Sequence, residues 1–396
     1  MVDPVAIVTL VVACIASLFM AWAIGAGSAG STPFAPAVGA NAISVMRAGF
    51  FVGLFAFLGA AIQGQNVSET VGRELIGDVT LFPAAAALAL LIAAGLVAIG
   101  VFTGYPIATA FTVTGAVIGV GLGIGGDPAW TQWLIIALMW TLTPFAGGGM
   151  AYVTARILRS DFPERRAVPM LGAVVGLIVA YMDIAALGGP DGSSSIAGAT
   201  ADALVSITVL GVDLVGLATA VAIAGLCAVV IDRQMTANPV AGQRRFLLAM
   251  GALVAFSAGG SQVGLAIGPL LPLLEPQGIP MWAILVGGGL GLLIGSWTGA
   301  PRMIKAISQD YSSLGPRRSI AALIPSFAIA QVAVLLGVPV SFNEIVVSAI
   351  IGSGYAAGNA GVSRRKMLYT MLAWVGSLSL AIVLGYVIVV AFSATF

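Results

Sequence analysis

Two segments of the chain place hydroxyl and amide side chains among small residues, inside otherwise apolar sequence. They read AIGAGSAGSTPFAPAVGAN at 23–41 and FSAGGSQVGLAIGPLLP at 256–272. Gly, Ser and Pro favour backbone that leaves helical geometry, and a helix end then presents free N–H groups and a positive dipole to an anion. Both segments therefore predict broken helices with hydrogen-bonding side chains beside them, on Ser28, Ser31, Thr32, Ser261 and Gln262. The alternative is that the small residues only permit close helix packing.

A second pair of segments opens with proline. GYPIATAFTVTGAVIGVG at 104–121 and GVPVSFNEIVVSAIIGSG at 337–354 share a Gly-x-Pro start, early hydroxyl residues and a trailing Ile-Gly-x-Gly or Ile-Ile-Gly-x-Gly. Proline at the first helical position, followed by Ser or Thr, is a signal for a helix N-terminus. Thr109 and Ser341 are thus expected beside unsatisfied backbone N–H groups, in a corner that suits an oxyanion.

The composition excludes a soluble globular domain. Hydrophobic residues make up 60% of the 396 residues and charged residues only 8%, against roughly 25% charged in soluble domains. The chain has no His, which removes His-based metal sites, His general bases and Ser-His-Asp triads, so we expect no enzyme. A net charge of +1 gives no reason to expect a nucleic-acid partner.

Apolar runs of about 20 residues, the length that crosses a bilayer, recur throughout the chain. The predicted spans are 5–46 (broken), 47–65, 80–103, 104–126, 130–156, 166–188, 201–231, 245–275 (broken), 280–300, 318–337, 338–360 and 366–394. This makes the chain an all-α polytopic membrane protein with about twelve transmembrane spans. Trp130, Trp133 and Trp140, at the start of one span, are expected to anchor it at the interface and to pack in the core.

Loop charge predicts the orientation. The loops at 156–166, 232–245, 301–318 and 361–366 hold most of the basic residues, and with twelve spans all four lie on one side, which the positive-inside rule makes cytoplasmic. The opposite side receives Asp3, Glu69, Glu74, Asp78, Asp127, Asp191 and Glu275, with Arg73 as its one exception. We therefore predict a multi-pass plasma-membrane protein with both termini outside.

The spans divide into two related halves. The first broken span leads to an acidic loop and the second to a basic one, so the two copies face opposite ways. We predict inverted-topology repeats at 1–156 and 245–396, of about five spans each, joined by two connecting spans at 157–244. Inverted repeats with broken helices at the midplane are typical of secondary transporters, which bind substrate and ion there. A duplicated helical bundle without transport is the alternative.

At these four segments the chain resembles the inorganic phosphate transporter (PiT) family, over nearly its whole length. That family consists of sodium-phosphate symporters with twelve spans and two inverted repeats. Each repeat holds a Gly-Ala-Asn-Asp-Val-Ala-Asn motif and a Pro-Val-Ser-Thr-Thr-His motif. In the first motif of the early copy, Ser28 stands at the Asp and Ser31 at the second Asn, whereas the late copy has Ser261 at the Asn and Gln262 at the Asp. Both motif aspartates are therefore neutral in this chain.

The second motif is also altered. GYPIATAF keeps Thr109 alone at the hydroxyl positions of the motif and places Phe111 at the His, while GVPVSFNE keeps Ser341 and places Asn343 and Glu344 at the second Thr and the His. We predict that substrate is bound by Thr109, Ser341, Ser28, Thr32, Ser261 and Gln262. We predict that the coupled cation is bound by Ser28, Ser31, Ser261, Gln262, Asn343 and Glu344.

Glu344 is a candidate for proton coupling. An ionisable side chain inside a span costs at least about 2.5 kcal/mol at the centre, so such residues usually face a cavity and carry function. The alternative is a carboxylate near the interface, stabilised by a helix N-terminus. Asp213 falls in the middle of a predicted span and is expected to be buried, whereas Asp183 falls late in its span.

Together these features predict a secondary active transporter of inorganic phosphate, coupled to a cation. The alternatives are a carrier of sulfate or another oxyanion coupled to protons, and a transport-incompetent relative that acts as a sensor or partner subunit. No cofactor is expected beyond a co-transported sodium ion or proton. The expected partners are inorganic phosphate or a similar oxyanion and the lipid bilayer, and a homo-oligomer is left open.

Overall fold

The computed structural model describes residues 4–188, 193–204, 208–209, 212–311, 313–358 and 362–393. Asp3 and Asp191, two of the acids assigned to one face from the sequence, lie outside these residues. The helices of the described part are α1 (Pro4–Gly27), α2 (Ala35–Gly39), α3 (Val45–Gln63), α4 (Gln65–Glu69), α5 (Pro83–Thr103), α6 (Thr109–Gly123), α7 (Trp130–Arg159), α8 (Glu164–Ala180), α9 (Ile196–Ala203), α10 (Leu214–Ala237), α11 (Pro239–Ile267), α12 (Leu271–Leu274), α13 (Met281–Thr298), α14 (Ala300–Asp310), α15 (Pro316–Leu335), α16 (Phe342–Tyr355) and α17 (Arg364–Ser393).

Short non-α elements join these helices. A π-helical turn covers Thr70–Glu74, and 3-10 turns cover Ala185–Leu187, Gly268–Leu270 and Glu275–Gln277. Two antiparallel strand pairs complete the described residues, β1 (Ile76–Gly77) with β2 (Asp127–Pro128) and β3 (Thr208–Val209) with β4 (Val212–Asp213). The β1–β2 pair joins the chain before α5 to the chain after α6, so α5 and α6 form an antiparallel pair.

The helices are consistent with the predicted twelve-span layout, which stays a prediction. Nine segments of the described chain are long and apolar enough to cross a membrane, and they contain α1, α3, α5, α7, α10, α11, α13, α15 and α17. The other three predicted spans are the shorter helices α6, α8 and α16, of 15, 17 and 14 residues. At 1.5 Å per residue α6 and α16 reach about 20 Å, less than the hydrocarbon core of about 30 Å. Neither helix is therefore long enough to cross the hydrocarbon core by itself.

The first helices of the two predicted repeats, α1 and α11, run antiparallel. Ser17 Oγ donates to the carbonyl of Ala266 at 2.9 Å, and Ser28 Oγ donates to Gln262 Oε1 at 3.2 Å. Residue numbers thus rise along α1 as they fall along α11. This is the relation that two inverted copies require, and the exact repeat boundaries stay a prediction.

The second helices of the repeats, α3 and α13, are antiparallel as well. Gly53 of α3 lies against Trp297 near the end of α13, and Gly289 near the middle of α13 lies against Phe57. Each of these helices also packs on the first helix of the other repeat, α3 on α11 and α13 on α1. The two halves are thus intertwined rather than side by side.

The two short helices α6 and α16, called the half-length helices below, each pack along the last helix of the other predicted repeat. α6 runs beside α17, and α16 runs beside α7. In both pairs the backbones touch at glycine: Gly119 lies against the Ile382 carbonyl, and Gly352 against the Gly148 carbonyl. The reciprocal contacts follow the pattern of a pseudo-twofold axis, in which each surface meets its counterpart.

One of the two predicted breaks is where the sequence placed it. α1 ends at Gly27 and the chain turns through residues 28–34 before α2 begins. The prediction of a break at 257–269 was wrong for most of its length, because α11 continues to Ile267 and is interrupted only by the 3-10 turn at Gly268–Leu270. Pro269 lacks an N–H group and explains why the helix ends there.

The connecting region differs from the prediction. The span expected at 201–231 begins at Leu214 instead, because Asp213 is the N-cap of α10 and accepts hydrogen bonds from the N–H groups of Val215 and Gly216. Asp213 is therefore a partly exposed cap and not a buried partner. Asp183 lies beyond the end of α8, where its carboxylate accepts from Asn66 and Ser193.

Candidate functional site

Three buried side chains from both repeats form a hydrogen-bonded cluster. Ser28 follows α1, Thr109 starts α6, and Gln262 lies in α11; all are 0% exposed. Gln262 Oε1 accepts from Thr109 Oγ1 at 2.6 Å and from Ser28 Oγ at 3.2 Å, while the two hydroxyl oxygens are 3.3 Å apart. Gln262 Nε2 donates to the carbonyl of Val340, just before α16, at 2.6 Å. The cluster thus contacts α1, α6, α11 and the entrance of α16.

The break in α1 is fixed by Asn343. Its Nδ2 donates to the carbonyl of Gly27 at 3.0 Å and to the carbonyl of Ile107 at 2.6 Å. These carbonyls belong to the end of α1 and to the segment before α6, where the chain is not helical and backbone acceptors need other donors. Asn343 therefore holds the break beside the start of α6.

Both half-length helices are entered through the same backbone geometry. Gly104 and Gly337 have φ values of 77° and 64°, the left-handed region that glycine adopts without strain. The chain then runs through Pro106 and Pro339 without helical structure, and the helices begin at Thr109 and Phe342. The prolines were predicted at the first helical position, but they lie three residues earlier because the backbone before the helix is extended.

Two tryptophans support these entrances, each from the other repeat. Trp374 Nε1 donates to the carbonyl of Pro106 at 2.8 Å, and Trp140 Nε1 donates to the carbonyl of Pro339 at 2.7 Å. Trp140 also stacks on Phe111, with ring centroids 4.0 Å apart. The sequence predicts Trp140 as an anchor and a packing residue only, without a connection to the site. In the structure Trp140 and Trp374 both lie ten residues after the first residue of their helices, α7 and α17, a correspondence that the span starts predicted at 130 and 366 do not show.

Around the cluster, four buried polar atoms have no hydrogen-bond partner among the described residues. They are Ser261 Oγ, Ser341 Oγ, Asn343 Oδ1 and Glu344 Oε2. Each belongs to a residue next to, or within the same turn as, a member of the cluster or its contacts. Buried polar groups are nearly always paired, so these atoms are candidates for contact with a ligand, an ion or a water molecule.

The site has little charge. Among the described residues, Glu344 is the one charged residue that is buried, at 1% exposure. No Lys or Arg forms a hydrogen bond with the cluster, and the described residues contain no group of three or more Cys, Asp or Glu that could hold a metal ion. An anion here relies on hydroxyls, amides and helix N-termini, and a cation relies on neutral oxygens and one carboxylate.

The structure brings most of the predicted residues together. Ser28, Thr109 and Gln262 are in contact and Asn343 binds the backbone of Gly27 and Ile107, whereas Ser261, Ser341 and Glu344 are neighbours along the chain of Gln262, Val340 and Asn343; all are buried. Ser31 and Thr32 are buried too, but their hydroxyls donate to the carbonyl of Ser28 and so stabilise the turn after α1. Their direct contact with a ligand stays a prediction.

A second polar network connects α11, one turn before the cluster, with the acidic end of the molecule. Gln331 Nε2 donates to Ser257 Oγ at 2.6 Å, one turn before Ser261 in α11. Gln63 Nε2 donates to Gln331 Oε1 at 3.2 Å and to the carbonyl of Asp183 at 2.5 Å. Polar side chains therefore extend from the neighbourhood of the site to the loop after α8.

Comparison with known proteins decides the family. The model of the phosphate transporter family matches residues 24–385. The chain belongs to the phosphate transporter family. A Pyrococcus furiosus relative that bears a phosphate-permease name is 26% identical over 94% of this chain and 92% of its own length. The chloroplastic inorganic phosphate transporter 2-1 of Arabidopsis thaliana is 25% identical over 90% of this chain and 67% of its own.

A solved structure of a phosphate transporter has the same fold. The structure of "The sodium-dependent phosphate transporter" superposes with a TM-score of 0.81, covering 98% of this chain and 100% of that one at 22% identity. The family match confirms the predicted family, and the superposition confirms the predicted helical membrane fold. The cluster residues Ser28 and Gln262 stand at the positions where we align the two motif aspartates of the phosphate transporter family.

Proposed function

We propose that the protein imports inorganic phosphate across the plasma membrane by cation-coupled symport, with the phosphate held at the Ser28–Thr109–Gln262 cluster. One observation carries the proposal. Side chains from both halves of the chain meet in the buried interior, at the starts of two half-length helices, and leave polar atoms unpaired around them. The phosphate-transport names of the relatives support the choice of substrate.

The cluster is arranged to exchange one acceptor for another. In this conformation the hydroxyls of Ser28 and Thr109 both donate to the amide oxygen of Gln262. A phosphate oxygen is a stronger acceptor than an amide oxygen, because hydrogen bonds to charged groups are shorter and stronger than neutral ones. Phosphate entering between the helices would take over these donors, while Gln262 turns its Nε2 from Val340 to the anion.

Binding of phosphate at the cluster requires a cation to compensate the negative charge of the anion. The site contains no basic side chain bound to the cluster, so an anion in the membrane interior requires a companion positive charge. Glu344 and the unpaired oxygens of Ser261, Ser341 and Asn343 are the groups that we assign to it. The solved transporter with the same fold is named as sodium-dependent, whereas a single carboxylate among neutral oxygens also suits a proton.

The basic end of the molecule is proposed to face the cytoplasm, with both termini outside. The basic residues at that end include Arg156, Arg159, Arg165, Arg166, Arg233, Arg244, Arg245, Arg317 and Arg318. Positive residues are retained on the cytoplasmic side of membrane proteins. The Ser28, Thr109 and Gln262 side chains are closed to both faces in this conformation, as an occluded state of an alternating-access carrier would be.

Uptake into proteoliposomes tests the proposal. Purified protein is reconstituted, and labelled phosphate or sulfate is supplied with an imposed sodium gradient, an imposed pH gradient, or neither. We expect concentrative phosphate uptake under one of the two gradients and none of sulfate. Sulfate uptake under the pH gradient would replace phosphate as the substrate, and uptake of neither anion would overturn the transport proposal.

A pair of threonines in α6 tests the site itself. Thr109→Val removes a hydroxyl from the cluster, and we expect the KM for phosphate to rise about tenfold or more, since a hydrogen bond to a charged group contributes roughly 1.5–3 kcal/mol. Thr112→Val is the matched control, because Thr112 is equally buried but donates to the Ala108 carbonyl of its own helix. Equal effects of both variants would place the binding site elsewhere.

A further inference from the structure

The acidic end of the molecule has one basic residue among the described residues. Its acids are Glu69, Glu74, Asp78, Asp127, Asp183, Asp202, Asp213 and Glu275, and its base is Arg73. In the proposed orientation this is the outer face, from which phosphate arrives. A face with this excess of negative charge repels an anion. Among the described residues of this face, Arg73 is the one side chain whose charge attracts phosphate.

Arg73 lies beside a cavity and pairs with an acid from the other repeat. Its guanidinium contacts the carboxylate of Glu275, which follows α12, and the two side chains are 51% and 34% exposed. Both residues line a cavity of about 570 Å³, together with Thr80 and Pro272. Val117 also lines this cavity, two turns along α6 from Thr109 of the cluster. The ion pair thus joins one residue from each predicted repeat, beside a cavity on the acidic side of the Ser28–Thr109–Gln262 cluster.

The turn that carries Arg73 is in backbone contact with the interruption of α11. Arg73 belongs to the π-helical turn Thr70–Glu74. π-helical turns are rare in proteins, and those that occur are often found at functional sites. A Cβ on Gly72 would lie 2.4 Å from the carbonyl oxygen of Gly268, so the two backbones touch. Gly268 directly follows the helix that carries Gln262. A shift of the Arg73 turn would therefore move the end of α11.

We propose that Arg73 recruits the phosphate anion at the outer face and that its ion pair with Glu275 is the outer gate of the carrier. The inference rests on the proposed function and orientation. It adds a site at Arg73 where phosphate binds before it reaches the Ser28–Thr109–Gln262 cluster. Phosphate displaces the Glu275 carboxylate from the guanidinium, which separates the two repeats at the cavity. The released turn then no longer holds Gly268, and the path toward Thr109 opens.

The energetics suit a gate. An ion pair this exposed contributes little to stability, so it opens readily. A guanidinium binds two oxygens of a phosphate or a carboxylate in the same planar geometry, which lets one anion replace the other. The competing Glu275 keeps Arg73 from retaining phosphate too tightly for passage to the site.

Initial uptake rates in proteoliposomes at varied phosphate concentration test the proposal. For Arg73→Gln we expect the KM for phosphate to rise about three- to tenfold at low ionic strength with little change in Vmax, since steering of an anion acts on encounter. The rise should shrink at high salt, where the Debye length falls to about 3 Å at 1 M. Arg73→Lys should restore part of the wild-type KM, and Glu275→Gln should lower the KM.

Two variants control for charge and position. Arg47→Gln removes an exposed arginine from the opposite, basic end and should keep the wild-type KM, whereas Glu74→Gln removes an exposed acid beside Arg73, so its KM should stay at or below the wild-type value and not rise as in Arg73→Gln. An Arg73→Gln variant with unchanged KM, or with a loss confined to Vmax that Arg73→Lys does not relieve, would overturn the recruiting role. Wild-type protein that transports no phosphate would instead overturn the proposed function.

Discussion

Ser28 and Gln262 replace two aspartates of the family motif, and their side chains hydrogen bond each other across the two repeats. The replacement removes two negative charges from the buried site. Phosphate then meets less repulsion, while a cation loses its strongest attraction. Among the described residues Glu344 is the one buried carboxylate, and it is therefore the group to which we assign coupling in the proposed function.

Substitution of Glu344 by Gln should separate coupling from binding. Gln keeps the size of the side chain but binds neither a proton nor a cation as a carboxylate does. We expect uptake driven by the sodium or pH gradient to fall to the level seen without a gradient, while exchange of labelled phosphate at equal concentrations persists. Both rates are measured in the same proteoliposomes.

Glu74→Gln is the matched control for this experiment, because Glu74 is exposed at the acidic end. Loss of exchange together with driven uptake in Glu344→Gln would show that the carboxylate supports folding or phosphate binding instead of coupling. Driven uptake at the wild-type rate would assign the cation to the neutral oxygens alone.

Much of the site was predictable at the level of single residues. Hydroxyl and amide residues at motif positions identified Ser28, Thr109 and Gln262, which the structure places in contact. The carbonyl of Val340 could not be predicted, since a backbone acceptor has no residue type of its own. The direction of the Thr32 hydroxyl depends on the turn after α1, which sequence does not specify.

At the scale of helices, glycines decide how closely the two repeats approach. α3 and α11 touch backbone to backbone: a Cβ on Gly59 would lie 1.7 Å from the Phe256 carbonyl oxygen, and one on Gly259 would lie 1.8 Å from that of Ala56. α1 and α13 repeat the arrangement at Gly25 and Gly295, with distances of 2.2 and 2.1 Å to Leu292 and Trp22. The site is held together by these two crossings.

The close contact of α11 with α3 explains why the helix break predicted in the segment 256–272 is absent from most of that segment. The sequence at 256–272 resembles 23–41 in its small residues, and both were expected to interrupt a helix. In α11 the glycines serve the alternative that the sequence left open, close packing on α3, and the helix continues. Small residues allow both outcomes, and only the neighbouring helix decides between them.

Two glycine substitutions test the role of the α3–α11 crossing. Gly259→Ala places a methyl group 1.8 Å from a backbone oxygen, so α3 and α11 must separate. We expect the melting temperature in detergent to fall by several degrees and transport to be lost. Gly287→Ala is the matched control, since a Cβ there meets no atom within 4 Å. Alanine in a helix is favoured over glycine by about 0.5–1 kcal/mol, so this variant should melt no lower than wild type.

Melting temperatures are measured by intrinsic tryptophan fluorescence in the same detergent for all three proteins. A Gly259→Ala protein that melts with the wild type would mean that the helices accommodate the methyl group, and the contact would then not limit their approach. A destabilised Gly287→Ala protein would point to a partner on that side of α13.

Across the whole molecule, neither repeat completes the site alone. α6 lies on α17 and α16 lies on α7, while Trp374 and Trp140 each support the entrance of the half-length helix that the other repeat supplies. Loop charge predicts an inverted order of the spans, with which the antiparallel α1 and α11 are consistent, but it does not predict this exchange of partners. Contacts between distant segments depend on the three-dimensional path of the chain, which no local pattern records.

The orientation of the whole molecule can be tested across a single helix. α7 has 30 residues and is about 45 Å long, more than the hydrocarbon core of about 30 Å. Asp127 precedes it at the acidic end and Asp161 follows it at the basic end, and both are exposed. Cysteine at each position, in a background with Cys14 and Cys227 replaced by Ala, reports which end faces outward.

A membrane-impermeant maleimide should label Asp127→Cys in intact cells and Asp161→Cys only after permeabilisation. The physical reason is the retention of the basic end on the cytoplasmic side. If only the Asp161→Cys variant were labelled in intact cells, the orientation would be opposite to the proposed one. Arg73 would then lie at the cytoplasmic face, where imported phosphate leaves the carrier. Labelling of both would show that the two ends of α7 emerge on one side, which the twelve-span topology does not allow.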